Sequence, residues 1–134
     1  MSDPLISYPG SLYLYSSKVT EVIDADTIKA DINLGFNLVY SRKIRFYGVN
    51  APELSTEKGI EAAEYVSDKL KPGTEFMLVS IKDRSGSFGR ILGIIYLLED
   101  GVPVKDSLNL TLINRGYAEW YRVSKAAKAT MFSR

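Results

Sequence analysis

Residues 43–53 have the sequence KIRFYGVNAPE, a strand-like run that passes into a short polar loop. Because side chains alternate along a strand, Arg45 is predicted to lie on one face while its two apolar neighbours lie on the other. Gly48 permits a bulge, and the proline at position 52 favours extended backbone at the residue before it. Asn50 and Glu53 are therefore expected to project from a stiff turn, so that a cation, an amide and a carboxylate converge.

Strand-like patterns lie on both sides of this stretch, and two helical patterns follow it. A hydroxyl N-cap at Ser55 and apolar residues at 60, 63, 66 and 70 predict the first helix, and residues 104–112 predict the second. The predicted strands are Ser11–Ile23, Thr27–Ile32, Leu38–Val49, Thr74–Ile81 and Ile91–Leu98. This order predicts an α+β, mainly β fold: a five-stranded OB-type barrel with two to three flanking helices.

The composition restricts the chemistry that the chain can perform. The 134 residues contain neither cysteine nor histidine, and 17 basic residues almost balance 16 acidic ones. Disulfides, thiolate metal sites and histidine bases are therefore excluded, and any metal must be an oxygen-ligated cation such as calcium, magnesium or manganese. A net charge of +1 gives no general attraction to nucleic acid, so any such attraction must come from local clusters.

Two carboxylates stand close together in residues 22–28, which read VIDADTI. In a strand, this spacing would place Asp24 and Asp26 on one face, where they repel unless a cation or hydrogen-bond donors lie between them. The alternative is an Asx turn, in which an aspartate caps backbone amides between two strands. Taken alone, the pattern favours the turn.

A basic, glycine-rich link joins the last two predicted strands. Lys82 and Arg84 lie in this link, and Arg90 stands at the start of the final strand, where its position is better defined than at a loop tip. Lys82 and Arg84 are candidates for binding nucleic acid, and a solvated hairpin explains their charge equally well.

Five segments, taken together and in this order, resemble the staphylococcal (thermonuclease-like) nuclease family. The resemblance covers residues 18–122, and five motifs in register are far more specific than any one of them. It supports the OB-type barrel and implies a calcium-dependent phosphodiesterase that acts on DNA and RNA. The segments are Val22–Thr27, Ile44–Glu53, Glu57–Ala63, Phe88–Arg90 and Asn114–Ala118.

The resemblance also implies a calcium site. Asp26 corresponds to a direct ligand, Asn50 to the second side-chain ligand, and the backbone carbonyl of Ala51 to a third, with Asp24 in the outer shell. The family usually has aspartate where this chain has Asn50, which removes one negative charge from the site. The expected alternative to a working enzyme is therefore a lapsed nuclease-like domain that binds nucleic acid or a protein partner.

By the same resemblance, Arg45 and Arg90 correspond to the two arginines that hold the scissile phosphate. Glu53 corresponds to the carboxylate proposed to activate or orient the attacking water, and Tyr121 aligns loosely with a tyrosine near the nucleotide pocket. These residue types suit the reaction, since guanidinium groups and a hard cation neutralise the anionic transition state of phosphodiester hydrolysis.

The remaining expectations concern organisation and partners. The sequence predicts a lead at residues 1–17, a nuclease-like domain at 18–122 and a tail at 123–134, with DNA or RNA as substrate and a monomer as the default state. No export signal and no membrane-spanning apolar run are recognisable, so we expect a protein of the cell interior or one encoded by a phage.

Overall fold

Eight strands and three helices form the part of the chain that the computed structural model describes, namely residues 13–82 and 90–134 without the side chain of Arg90. The strands are β1 (Leu14–Asp24), β2 (Thr27–Gly35), β3 (Leu38–Phe46), β4 (Val49–Asn50), β5 (Glu75–Ile81), β6 (Arg90–Glu99), β7 (Val102–Pro103) and β8 (Glu119–Trp120). The helices are α1 (Glu57–Lys69), α2 (Leu108–Asn114) and α3 (Lys125–Thr130).

Five long strands close into a barrel. The antiparallel order is β3-β2-β1-β5-β6, and β6 returns to pair with β3 in parallel. That last ladder joins Lys43 to Arg90 and Phe46 to Gly93. The mainly β barrel with three helices confirms the predicted OB-type α+β fold.

The barrel interior is filled by alternate residues of the strands, as the strand period requires. Helix α1 closes one side of this core with Ala62 and Val66, and its C-cap residue Leu70 joins them; all three are fully buried. Buried apolar side chains from the strands include Val19, Ile28, Ala30, Ile32, Ile44, Phe46, Phe76 and Leu78. The strand that carries Arg45 is thus fixed by core residues on both sides of the arginine.

A second apolar cluster lies outside the barrel and includes Phe132, only 1% exposed, from the predicted tail. Its ring packs against Tyr47 at a centroid distance of 5.9 Å and against Trp120 at 4.9 Å. At the other end of the chain, β1 already begins at Leu14, within the predicted lead. Residues from both flanking segments therefore take part in the folded unit.

Helix α1 differs in two details from the sequence prediction. Thr56, not Ser55, is the N-cap, and its side chain accepts a hydrogen bond from the backbone N–H of Gly59. Ile60, expected on the apolar face, is 48% exposed, whereas Gly59 is buried. The buried face is thus rotated from the one that apolar side chains alone predict.

Within the described part of the chain, no helix combines the length and the apolar character that a membrane span needs.

Candidate active site

The two aspartates lie in the tight turn between β1 and β2. The Oδ1 atom of Asp24 accepts a hydrogen bond from the backbone N–H of Asp26 at 3.1 Å, which is the Asx turn expected from the pattern alone. The backbone carbonyl of Asp26 accepts from the N–H of Phe46 at 2.8 Å. Asp24 therefore shapes the turn, and the turn attaches Asp26 to β3.

The side chain of Asp26 connects this turn to the stretch after β3. Its Oδ2 atom accepts a hydrogen bond from the backbone N–H of Ala51 at 2.9 Å and lies 3.0 Å from Nη1 of Arg45. Its Oδ1 atom accepts from the Thr27 hydroxyl at 3.1 Å. Only 8% of Asp26 is exposed, so this carboxylate is held in one position by neighbours from three segments.

Arg45 lies between the turn and β4, with its side chain 18% exposed. Besides Asp26, its guanidinium contacts the carbonyl of Val49 at 3.0 Å and Oδ1 of Asn50 at 3.4 Å. A guanidinium carries five N–H donors in a planar fork. Within the described part of the chain, these three contacts leave donors of Arg45 for a further acceptor such as a phosphate oxygen.

Asp24 is the carboxyl group of the site whose pKa is raised. Burial first, and then the hydrogen bond with Asp26 and the negative charge of that residue, raise the pKa of Asp24 from 3.8 to about 6. The ionised pair is therefore disfavoured even with Arg45 beside Asp26. An added cation would relieve this repulsion.

Strand β8 lies beside β4, which carries Asn50. Asn50 pairs with Glu119 across β4 and β8, and the N–H of Tyr121 donates to the carbonyl of Gly48 at 2.8 Å. The ring of Tyr121 is 42% exposed, and its centroid lies 6.0 Å from Cζ of Arg45. Tyr121 is thus an exposed aromatic surface next to the arginine, suitably placed for a base to stack on it.

Gly48 makes this close arrangement possible. Its φ of +78° lies in the left-handed region, and a Cβ there would stand 2.7 Å from both Phe132 and Val123. Any larger residue would therefore push the turn between β3 and β4 away from the second apolar cluster.

Glu53 lies in the loop between β4 and α1, and its position is fixed through the backbone. Its carbonyl accepts from the N–H of Thr56 at 3.0 Å and from the hydroxyl of the same residue at 2.6 Å. Gly59 packs against this carbonyl so closely that a Cβ would lie 1.9 Å from the oxygen. The carboxylate itself is exposed and forms no ion pair with other described residues, so water can reach it.

A sequence model of the staphylococcal nuclease homologue family matches residues 43–133, about two-thirds of the chain. The chain belongs to this family. The match covers the second half of β3 from residue 43, the stretch with Asn50 and Glu53, and the segment with Tyr121, and it begins after Asp24 and Asp26. The two aspartates are therefore connected to the nuclease-homologue stretch by the contacts of the folded chain. No curated protein matches the sequence significantly.

The donor set of this nuclease homologue fits an oxygen-ligated dication. Among residues 13–82 and 90–134, no three or more acidic, histidine or cysteine side chains form a metal-binding group. The available donors are two carboxylates, the amide oxygen of Asn50 and the backbone beside Asp26, where Ala51 is tied by its N–H. Calcium accepts such mixtures of carboxylate, amide and carbonyl oxygens, with water completing its shell.

For three other predicted residues, Arg90, Lys82 and Arg84, the described structure shows no side-chain contact with the site. Arg90 is the first residue of β6, and its backbone pairs with Lys43 of β3, two residues before Arg45. The side chain of Arg90 lies outside the described part of the structure. Lys82 is exposed directly after β5 and forms no ion pair with either aspartate among the described residues. Arg84 lies outside the described residues.

Sequence reasoning missed Asn109 of α2, which is completely buried. Its Nδ2 donates to the carbonyls of Tyr47 at 2.9 Å and Gly93 at 3.1 Å, and its Oδ1 accepts from the N–H of Ile95 at 3.0 Å. This amide therefore fastens the turn after Arg45 to β6. The available signal was an asparagine between two leucines at the start of a helix whose first turn faces the core.

Proposed function

We propose that this chain is a calcium-dependent nuclease that hydrolyses phosphodiester bonds of DNA or RNA with limited sequence preference. The observation that supports it most is the contact of Asp26 with both Arg45 and the backbone of Ala51 in a member of the nuclease-homologue family. In this proposal, Asp26 is the anionic metal ligand and Arg45 the phosphate-binding cation, and their contact supports the two roles acting side by side.

Asp26, Asn50 and the carbonyl of Ala51 would hold the calcium ion, with Asp24 in the outer shell. When bound, the ion supplies positive charge that polarises a nonbridging phosphate oxygen. The chain prepares this site in advance, because Arg45 and the N–H of Ala51 fix the orientation of Asp26. The raised pKa of Asp24 favours the same occupant, since a cation would stabilise both ionised carboxylates.

Arg45 would bind the scissile phosphate with the donors that its protein contacts leave available. Because the guanidinium is already held by Asp26 and Val49, it needs little reorganisation when negative charge grows in the transition state. Removal of one such preorganised donor typically costs about 10²–10³-fold in rate. Arg90 is proposed as the second phosphate-binding arginine on the strength of the family resemblance and its position in β6.

Glu53 would accept a proton from the attacking water or orient that water. A chain without histidine has to use another base, and a carboxylate can do so when it lies within hydrogen-bond reach of the water. Its exposed carboxylate and fixed backbone meet the two needs of this role, access to solvent and a defined position.

A second function is favoured by Asn50. Its neutral amide weakens the attraction for calcium, so the chain could bind nucleic acid without cutting it. Against this alternative stands Glu53, because a domain that only binds phosphates gains nothing from an exposed carboxylate beside them.

The deciding experiment measures cleavage of single-stranded DNA with calcium and with chelator. Wild type is compared with Glu53→Gln, Asn50→Asp and the matched control Glu99→Gln, which changes an exposed glutamate at the far end of β6 from Arg90. We expect calcium-dependent cleavage by wild type and by the control, and severe loss in Glu53→Gln.

Two other outcomes would contradict the proposal. Inert wild type with active Asn50→Asp would show a lapsed nuclease whose present function is binding. Inactivity of both proteins, with no rise in melting temperature on adding calcium, would show that the metal site is wrongly assigned, since a ligand of the native state raises its stability.

A further inference from the structure

A basic cleft lies on the outside of the barrel beside the candidate active site. It encloses about 390 Å³ and is lined by Thr20, Lys29, Ala30, Ser41, Arg42 and Lys43. This volume is within the range of ordinary ligand sites. We refer to it as the β2–β3 cleft, because five of its six lining residues belong to those two strands.

The two lysines of the cleft stand directly opposite each other in the sheet. Lys29 of β2 pairs with Lys43 of β3, and like charges at such positions destabilise a sheet. Lys29 forms an ion pair with Glu21 at 3.5 Å, but both side chains are about half exposed and such a pair contributes little. Stability therefore gives no reason to place two lysines here.

The other charges near the cleft do not cancel this cluster. Arg42 also lines the cleft, but alternation along β3 places its side chain on the opposite face from Lys43, where its Cζ lies 4.8 Å from the centroid of the Tyr40 ring. Asp31, on the same face as Lys29, accepts a hydrogen bond from the hydroxyl of Ser41. Lys18 of β1 pairs with Asp31, so Lys18, Lys29 and Lys43 outnumber Glu21 and Asp31 on this outer face.

The cleft continues from Arg45 along the same strand face. Lys43 and Arg45 are two residues apart on β3, so both project to the outside, and the distance along the strand is about 6.7 Å. This distance is on the scale of the step between neighbouring phosphates of an extended single strand. A nucleic-acid strand whose scissile phosphate lies at Arg45 would therefore place the next phosphates near Lys43 and Lys29.

We propose that the β2–β3 cleft binds the phosphodiester backbone of a single-stranded nucleic acid on one side of the scissile phosphate, through Lys29 and Lys43. The inference rests on the proposed nuclease function for its position relative to the cleaved bond. Binding by backbone charge accounts for a strong salt dependence and for limited sequence preference.

The test measures binding of a fluorescent oligothymidylate by anisotropy, in chelator, over a series of salt concentrations. The variant Lys29→Gln/Lys43→Gln is compared with Lys71→Gln/Lys105→Gln, which removes two exposed lysines outside the cleft. For single strands, the logarithm of affinity falls with the logarithm of salt by about 0.7 per phosphate contact. We therefore expect the cleft variant to lose about 1.4 from this slope and at least about tenfold in affinity at low salt, with the control unchanged.

Lys43→Gln alone should melt at the same or a higher temperature than wild type, because it removes the repulsion with Lys29. The melting temperature therefore shows whether weaker binding comes from the missing lysine or from loss of folding. Equal slopes in the cleft variant and the control would overturn the cleft site, as would absence of binding by wild type. Cleavage by wild type decides the nuclease proposal separately. An inert protein whose binding depends on the cleft lysines would retain this inference and refute the nuclease.

Discussion

Replacement of Gly59 by alanine should damage both stability and cleavage, although Gly→Ala within a helix normally stabilises. In an ordinary helical position, the change is worth about 1 kcal/mol in favour of alanine. Here the new Cβ would lie 1.9 Å from the carbonyl oxygen of Glu53 and 2.9 Å from that of Pro52. Both are backbone atoms, so no side-chain rotation can relieve the overlap.

The structure sets the size of the disturbance. Ordinary contacts of a Cβ begin near 3.4 Å, so the loop at Glu53 has to move by about 1.5 Å relative to α1. Overpacking of this kind costs about 1–3 kcal/mol, which outweighs the helix preference. Because the hydroxyl of Thr56 ties the same carbonyl to the N-terminus of the helix, the movement also disturbs the cap. Misplacement by about 1 Å can reduce catalysis about 10²-fold.

The assay is urea denaturation together with calcium-dependent cleavage of single-stranded DNA. After the helix preference is subtracted from the overpacking cost, we expect Gly59→Ala to lose up to about 2 kcal/mol of unfolding free energy and about 100-fold in kcat/KM. The matched control is Ala63→Gly in the same helix, which should lose about 1 kcal/mol from helix preference and keep its activity. If Gly59→Ala is as stable and as active as wild type, the loop does not depend on the contact with Gly59, and Glu53 is not the positioned carboxylate.

Two further predictions concern the support of the site and the hairpin next to the cleft. Asn109→Leu removes the amide that bonds the carbonyl of Tyr47 and two backbone groups of β6, and should lower the unfolding free energy in urea by about 3–5 kcal/mol. The control Asn114→Leu, at an exposed position of the same helix, should lower it by less than about 0.5 kcal/mol. A loss below about 1 kcal/mol for Asn109→Leu would contradict the assigned role. Phe36→Asn should raise the melting temperature by several degrees. Phe36 is 95% exposed at φ +55° in a two-residue turn, a position where asparagine is preferred. An unchanged or lower melting temperature would refute this prediction.

The barrel was predictable because its determinants are local. Alternation in β2 and β3, the turn between them and the stop after α1 each follow from a few neighbouring residues, and their order leaves few topologies. The errors in α1 have a local cause as well. Adjacent hydroxyl residues can both cap a helix, and a buried glycine is invisible to a count of apolar side chains, which therefore placed Ile60 on the wrong face.

The sequence singled out Asp24, Asp26 and Arg45, which the fold brings close together, but it did not contain the contacts that join them. The catalytic and metal-binding roles of these residues stay predictions. The Asx-turn interpretation of the aspartate pair is confirmed at Asp24, and the interpretation with a cation between the carboxylates stays a prediction; Asp26 reaches Arg45 and Ala51. The bonds of Asn109 join positions up to 62 residues apart, and only the folded backbone brings such groups together. No spacing within the sequence contains that information.

Asn50 has a clearer meaning beside Arg45 than in the sequence alone. An aspartate at this position would add negative charge for calcium, and it would also bring a second carboxylate to a guanidinium that already contacts Asp26. Charge-assisted bonds are stronger than neutral ones, so such an arginine would be less available to a phosphate. Under the proposed function, the amide would thus lower the attraction for calcium while leaving Arg45 freer for the phosphate of the substrate. The effect of Asn50→Asp should therefore appear as a lower calcium requirement and not as a faster reaction at saturating calcium; a rise in the saturated rate would show instead that the amide limits the chemical step.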